Sequence, residues 1–419
     1  MIVYKFGGAS VKDAEGIRNL HKIISGVKQN LVIVISAFGK TTNALEKVLQ
    51  EWIEGNKAYI SHMNEVYDYH YSMMEKLGED QDDFKGLLDQ SFSKLKDYLL
   101  VTKPGKYDFE YDQVVSYGEI WSTLIVSGFL KRSGKKAEWI DIREYLITDD
   151  RFRDANIIWS ESYNRIKEVI DFRRMPLFIT QGFIGGTLAG ETTTLGREGS
   201  DYTAAILGNI LEAEKVVFWK DVSGILNADP KWLSGVTRLN HISYKEAVEM
   251  TFSGAKIIHP KSIKPLHNKG IPLEVRSFQN PEEEGTTIKA DVKPEEAVPI
   301  YVRKEKQILI SILPVDFSFV MGDHLSRVFH SFMVNGVKVN LVQASAVSIN
   351  VCVDNESPKV NALIQELEKD YKTVYNDNVE VLTIRHYTPQ AIDMITSGRD
   401  ILLEQKTRKI VRFVVKEVP

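Results

Sequence analysis

The chain has 419 residues, 43% of them hydrophobic and 26% charged, with a formal net charge of −4, which is room for two or three domains with a sizeable core. Those values are ordinary for a soluble globular protein and exclude a strongly basic one, and nothing in the balance suggests nucleic acid or an anionic membrane as the main partner. The single cysteine, Cys352, excludes an internal disulfide, fits a reducing compartment and reads as a small buried hydrophobe.

Met1-Ile2-Val3-Tyr4-Lys5 runs directly into strand-like sequence and lacks the basic, apolar and cleavage regions of a signal peptide. The longest apolar runs, such as 31–35, are far shorter than the roughly 20 residues of a membrane span. A cytoplasmic location with no membrane partner is therefore expected. Residues 2–6 predict a short strand ended by Gly7-Gly8. Apolar positions at helical spacing (Ile17, Leu20, Ile23, Ile24) predict a helix over 14–25. The β-branched run 31–35 predicts a strand covered on both faces, as in a parallel sheet. Residues 44–103 read as a helical segment with charged faces, broken near Gly78, whose Tyr59, Tyr67, Tyr69 and Tyr71 serve core packing. Alternation then resumes, with helices over 114–132, 159–172 and 200–212 and strands over 137–142, 175–181 and 215–219. The pattern predicts a three-layer α/β/α sandwich with a mainly parallel open sheet.

Proline, glycine and charge cluster over 280–298 and mark a boundary. Beyond it, strands over 308–313, 337–342, 347–353 and 379–384 and helices over 324–334 and 359–371 follow the order β-α-β-β-α-β of a ferredoxin-like α+β unit. A short helix and a last strand over 410–415 complete the chain.

Several segments carry chemistry. A strand ending in Lys5-Phe6-Gly7-Gly8 lets backbone N–H groups approach phosphate oxygens and adds a compact positive charge. Gly39-Lys40-Thr41 is not a Walker A loop, because Val34 stands where its first glycine is required. The hydroxyl-rich turn 36–43 nevertheless follows a buried strand, where ligands of open α/β sheets bind. Ser116-Tyr117-Gly118-Glu119 offers a glutamate to an ammonium group. Gln181-Gly182-Phe183-Ile184-Gly185-Gly186 and Thr194-Leu195-Gly196-Arg197-Glu198-Gly199-Ser200-Asp201 surround an arginine suited to clamping a carboxylate, with Ser200 and Asp201 at a helix start. Two weaker segments are 219–231 and 254–260. The histidines show no zinc-ligand spacing, and no structural metal is expected.

In identity, order and spacing these segments resemble the aspartate kinases of the amino acid kinase superfamily, across about residues 2–385. The resemblance implies the amino acid kinase fold over 1–290 with a helical insertion at about 44–110. It also implies an ACT-type regulatory region over 300–419, with one full unit at about 304–386 and a truncated second. It implies ATP-dependent phosphorylation of the L-aspartate β-carboxylate to 4-phospho-L-aspartate, the first step toward lysine, threonine and methionine, with Mg²⁺ carried by ATP. Lys5 and Asp201 would be catalytic. Ser36, Thr42, Glu119, Phe183 and Arg197 would hold aspartate, with Arg197 on the α-carboxylate and Glu119 on the ammonium. Gly7, Gly8, Ser200, Lys220, Asp221, Lys231 and Lys256 would hold nucleotide and phosphates. ACT units commonly pair, so a homodimer is implied.

Departures from the family pattern fall mainly on the nucleotide side: Ala9 for a frequent Thr, Glu198 for Gly, Lys220 for Thr, Leu226 for Tyr and Lys231 for Arg. Asn340 and Ser345 line up with the effector-binding strands. Asn340 stands where lysine-sensitive members often have Asp, and Ala346 where they have Glu, which implies weak or absent lysine feedback. Two other readings compete: a superfamily kinase for glutamate, acetylglutamate, carbamate or a nucleoside monophosphate, and an amino-acid-sensing subunit with a decayed kinase domain. No fused homoserine dehydrogenase is expected at this length.

Overall fold

The computed structural model describes residues 1–78, 83–255, 257–292, 298–316, 319–320 and 322–417. The chain divides into two compact units, one of Met1–Ile225, Arg238–Val248 and Ile257–Val292, the other of Leu226–Thr237, Glu249–Lys256 and Lys293–Pro419. In chain order the elements up to residue 289 are β1 (Ile2–Phe6), α1 (Ala14–Ser25), β2 (Leu31–Ile35), α2 (Thr41–Ile53), α3 (Tyr59–Leu77), α4 (Asp83–Val101), α5 (Tyr107–Val115), α6 (Tyr117–Arg132), β3 (Ala137–Ile140), β4 (Ile147–Thr148), α7 (Trp159–Val169), β5 (Leu177–Gln181), β6 (Ile184–Thr187), β7 (Thr192–Thr194), α8 (Gly199–Ile210), β8 (Lys215–Lys220), β9 (His241–Ser243), α9 (Tyr244–Phe252), α10 (Pro260–Lys269), β10 (Leu273–Ser277) and β11 (Thr286–Lys289).

The main sheet has the order β3-β5-β2-β1-β8-β10-β11-β9. Only β10 and β11 run antiparallel, and every other neighbouring pair is parallel. The strands β1, β2 and β5 are buried along their whole length, as expected for a sheet covered on both faces. Side chains of β1 alternate between the faces. Ile2, Tyr4 and Phe6 join Ile17, Leu20 and Ile24 of α1 and Trp121 of α6 in the large core cluster. Lys5 therefore points to the opposite face, where α8 packs.

Among the described residues five helices, α2 to α6, lie between β2 and β3. Their aromatics pack inward, with Tyr59, Tyr67 and Tyr69 against the main cluster. The single helix expected over 114–132 instead breaks at Ser116, where α5 ends and α6 begins. The β6-β7 hairpin, absent from the sequence reading, forms a small separate sheet with β4. Gly185 and Gly186 interrupt any apolar alternation there. At Gly186 a Cβ would lie 2.3 Å from the Arg143 carbonyl oxygen, so the backbone approach needs glycine.

The second unit holds β12 (Ile300–Pro314), α11 (Gly322–Val334), β13 (Val339–Ala344), β14 (Ile349–Asp354), α12 (Ser357–Leu367), β15 (Tyr371–Arg385), α13 (Pro389–Thr396), β16 (Arg399–Lys406) and β17 (Ile410–Glu417). They form one sheet of order β13-β14-β12-β15-β17-β16, with every pairing antiparallel. The strands β12 and β15 pair over their full lengths through register shifts near Lys304 and Gln307. They are much longer than their apolar cores predict, because charged and polar residues (Arg303 to Lys306, Asn376 to Asn378) hide the continuation. Cys352 is fully buried in β14. Among the described residues no helix is long and apolar enough to cross a membrane.

Candidate active site

The carboxyl ends of β1, β2, β5 and β8 lead into loops that ring a cavity of about 540 Å³ in the first unit. Its lining includes Lys5, Ser36, Thr42, Glu119, Phe183, Arg197, Ser200, Asp201 and Lys220, all of them residues singled out from the sequence. A crevice beyond the carboxyl ends of parallel strands is where open α/β sheets bind ligands.

Two glycine-dependent contacts draw the loops together. At Gly8 a Cβ would lie 2.3 Å from the Ala37 carbonyl oxygen, and Gly39 N–H donates to the Gly8 carbonyl at 3.0 Å. At Gly182 a Cβ would lie 2.4 Å from Ser200 Cβ, so the turn after β5 rests on the first turn of α8.

Charge converges on the tip of α8. Lys5 Nζ lies 2.6 Å from Asp201 Oδ1 and Lys220 Nζ 3.2 Å from Asp201 Oδ2. Lys220 also donates to the Ile257 carbonyl at 3.0 Å. Burial pushes the Asp201 carboxyl up, but the two ammonium groups outweigh it and hold Asp201 below the usual carboxylate range. Asp201 thus fixes two lysines beside a helix N-terminus, a place that favours anions.

Glu119, on the first turn of α6, is 3% exposed. Its Oε1 accepts from Ala37 N–H at 3.3 Å, and its Oε2 has no partner among the described residues. Burial pushes its carboxyl up to about 8, against the Ala37 hydrogen bond and the Lys5 charge. A buried oxygen with no partner is an acceptor waiting for a donor. Arg197 is exposed in the loop before α8 and makes no ion pair among the described residues.

Gly7, Gly8 and Asp221, of the same unit, do not line the cavity. Gly7 and Gly8 form the turn below the cavity, with Gly7 against the Lys5 ammonium. Asp221 is exposed and does not line the cavity. Lys231 is exposed and belongs to the second unit. Lys256 lies outside the described residues. In the second unit, Asn340 Oδ1 accepts from Lys304 Nζ at 2.8 Å, and Ser345 Oγ caps its own turn, accepting from Ser348 N–H at 3.1 Å. The lining also contains Tyr111, Arg153, Thr194, Gly196, Glu198 and Gly199, none of which was assigned a role from sequence. Behind them the buried Asp112 accepts from Thr194 N–H (2.8 Å), Thr194 Oγ1 (2.7 Å) and Arg153 N–H (3.0 Å). Burial pushes the Asp112 carboxyl up to about 6, against those hydrogen bonds.

The sequence profile of the amino acid kinase family matches residues 1–277. The lysine-sensitive aspartokinase 3 of Escherichia coli (strain K12) is 30% identical over 362 residues, covering 84% of this chain and 78% of that protein. The chain belongs to the aspartokinases of the amino acid kinase family. Aspartokinase 2, chloroplastic, of Arabidopsis thaliana is 30% identical over 88% of this chain and 70% of its own length. The chain spans only 39% of the bifunctional aspartokinase/homoserine dehydrogenase 1 of Zea mays. The crystal structure of E. coli aspartokinase III in complex with aspartate and ADP superimposes with a TM-score of 0.81 at 25% identity, over 99% of this chain and 96% of that one. The aspartate kinase of Clostridium acetobutylicum shares the fold, with a TM-score of 0.83 at 21% identity over 99% of this chain and 96% of that one. Glu198, which stands where the sequence resemblance leads one to expect glycine, sits at φ 54°, the left-handed conformation that glycine adopts freely.

Proposed function

We propose that this chain is an aspartate kinase, using ATP to convert L-aspartate into 4-phospho-L-aspartate and so feeding lysine, threonine and methionine synthesis. The observation that carries this reading is the Lys5–Asp201–Lys220 ion triad sharing one cavity with the buried, half-unpartnered Glu119 and with Arg197. Aspartate has one ammonium and two carboxylates. Glu119 Oε2 suits the ammonium and Arg197 the α-carboxylate, which leaves the β-carboxylate as nucleophile. That group is ionised at pH 7, so the reaction needs no general base. One of its oxygens forms a bond to the γ-phosphorus as the bond to the ADP oxygen breaks. Lys5 and Lys220, held by Asp201, and the tip of α8 supply preorganised positive charge to the transferring group. Ser36, Thr42 and Phe183 complete the amino-acid pocket. Gly7, Gly8, Ser200 and Asp221 are proposed for the phosphate and nucleotide side.

Mg²⁺ would arrive on the nucleotide phosphates and shield their charge. The lining carboxylates fit other partners than a resident cation: Asp201 is held by two lysines, and Glu119 is mostly neutral at pH 7. Residues 1–290 are the proposed catalytic domain. Residues 300–419 are proposed as an ACT-type regulatory region, one full unit and a shortened second, with Asn340 and Ser345 at its effector position. A cytoplasmic homodimer completes the reading.

A coupled assay of ADP release with L-aspartate, L-glutamate and N-acetyl-L-glutamate tests the activity. Turnover is expected with aspartate, and its absence overturns the reading. Lys5→Ala is expected to lower kcat by about 10²–10³-fold while the aspartate KM stays near that of the parent. Near-normal turnover would reduce Lys5 to a structural charge.

A further inference from the structure

Backbone strain concentrates at this cavity. Seven non-glycine residues among those described have positive φ, and three of them, Arg153 (68°), Phe183 (70°) and Glu198 (54°), line it. Such conformations persist where the surroundings impose them, and they gather at sites of function. Phe183 and Glu198 flank the tip of α8. Arg153 lies in a loop remote in sequence, and the reaction as described gives it no part.

Arg153 is held at both ends. Its N–H donates to the buried Asp112, the carboxylate that also fixes Thr194 of the cavity wall. Its guanidinium lies over the Tyr111 ring at 4.5 Å and the Tyr107 ring at 5.5 Å, and it pairs with the exposed Asp108 at 3.4 Å. The cavity therefore carries two arginines of different kinds: Arg197, without an ion pair among the described residues, and Arg153, oriented in advance. A guanidinium already held by an aromatic face loses little freedom when it meets a carboxylate, and its planar fork suits bidentate pairing. The exposed Asp108 is a carboxylate that an incoming one can displace. The lining has four basic side chains (Lys5, Arg153, Arg197, Lys220) and three acidic ones, of which Glu119 is mostly neutral at pH 7, so its net charge favours an anionic substrate.

We propose that Arg153 is a specificity-determining residue that joins Arg197 in receiving the α-carboxylate of the amino-acid substrate. The inference rests on the aspartate kinase reading and deepens it: the pocket selects amino acids that carry a free α-carboxylate besides the one that is phosphorylated.

The test uses the full chain and the variants Arg153→Gly and Arg153→Lys. Glycine removes the guanidinium and relieves the positive φ, so folding is preserved, and thermal unfolding checks it. Arg153→Gly is expected to raise the aspartate KM by about 10- to 100-fold, the usual worth of a charge-assisted contact, with the ATP KM unmoved and kcat changed much less. Arg153→Lys keeps the charge without the fork and is expected to recover part of the loss. Binding of the α-amide of aspartate (L-isoasparagine), which lacks the α-carboxylate charge, is expected to be insensitive to Arg153→Gly. An unchanged aspartate KM, or an equal loss for aspartate and its α-amide, overturns the proposal while leaving the kinase activity in place. A parent enzyme that does not turn over aspartate overturns both.

Discussion

Glu119 is a carboxylate placed where its charge is disfavoured. With burial pushing it up to about 8, its neutral form prevails in the free site at pH 7. A substrate ammonium beside Oε2 favours the ionised form and lowers that value, so binding expels a proton. Aspartate KM is therefore expected to fall as pH rises from 6 to 8, by up to about tenfold per unit, and to level off above 8. Calorimetry in buffers of different ionisation heat should count nearly one proton released at pH 7, and a KM flat between pH 6 and 8 would refute the linkage. The sign for stability follows from the same shift. The folded value lies above the unfolded one, so the contribution of Glu119 to stability is present below pH 4.5 and is lost as pH rises through about 8. Glu119→Gln should then be more stable than the parent at pH 9 while binding aspartate worse. The sequence made Glu119, Lys5 and Arg197 visible through the order and spacing of the motifs that carry them, since a lone helical glutamate or a strand-end lysine is ordinary. Tyr111 and Arg153 carried no such mark. Their membership depends on a helix packing and a left-handed turn far away in the chain.

At the scale of elements, the tip of α8 shows how a local departure is absorbed. Glu198 occupies the N-cap position at φ 54° without a side-chain cap, and its Oε2 accepts from His259 N–H at 2.7 Å. A left-handed non-glycine residue costs about 1 kcal/mol relative to glycine, whereas a hydrogen bond to a charged group contributes about 1.5–3 kcal/mol, at the low end for a part-exposed carboxylate. The two terms nearly cancel in Glu198→Gly, which should change thermal stability little. Glu198→Ala keeps the strain and loses the bond, so it should be less stable than the glycine variant by about 1 kcal/mol. Equal unfolding temperatures for the two would show that position 198 is not left-handed. The sequence carried the β1–α1–β2 opening clearly, through apolar runs and a helical stripe on either side of two glycines. It hid the break at Ser116 and the β6-β7 hairpin. The first falls at a serine with no proline beside it to mark a helix end, and the second is a glycine- and threonine-rich pair with no apolar alternation to reveal it.

For the molecule as a whole, long-range pairing decided what was legible. Alternating strands and helices announced a parallel sheet. Nothing local announced that Leu226–Thr237 and Glu249–Lys256 cluster with the second unit, or that β12 and β15 each run on for 15 residues. If residues 300–419 are regulatory, as proposed, the register shift in β12 bears on the effector position. It brings Lys304 to Asn340 and Asp354, with Nζ 2.8 Å from Asn340 Oδ1 and 2.8 Å from Asp354 Oδ1. Gln307 Nε2 donates to the same Asp354 carboxylate at 2.7 Å, and Asn340 Nδ2 to Gln307 Oε1 at 2.7 Å. Burial pushes Asp354 up, but the hydrogen bonds from Gln307 and Lys304 outweigh it and keep the carboxylate charged. An ammonium belonging to the chain thus already satisfies the polar groups around Asn340, and a free cationic amino acid arriving there finds its acceptors engaged. Kinase activity titrated with lysine and threonine is expected to show little inhibition by lysine at low millimolar concentration. Lys304→Met, which keeps the stem and removes the charge, should free the Asp354 carboxylate and make the enzyme more sensitive to lysine than its parent. Strong lysine inhibition of the parent chain, or a Lys304→Met variant with unchanged sensitivity, would show that this cluster does not govern the effector response.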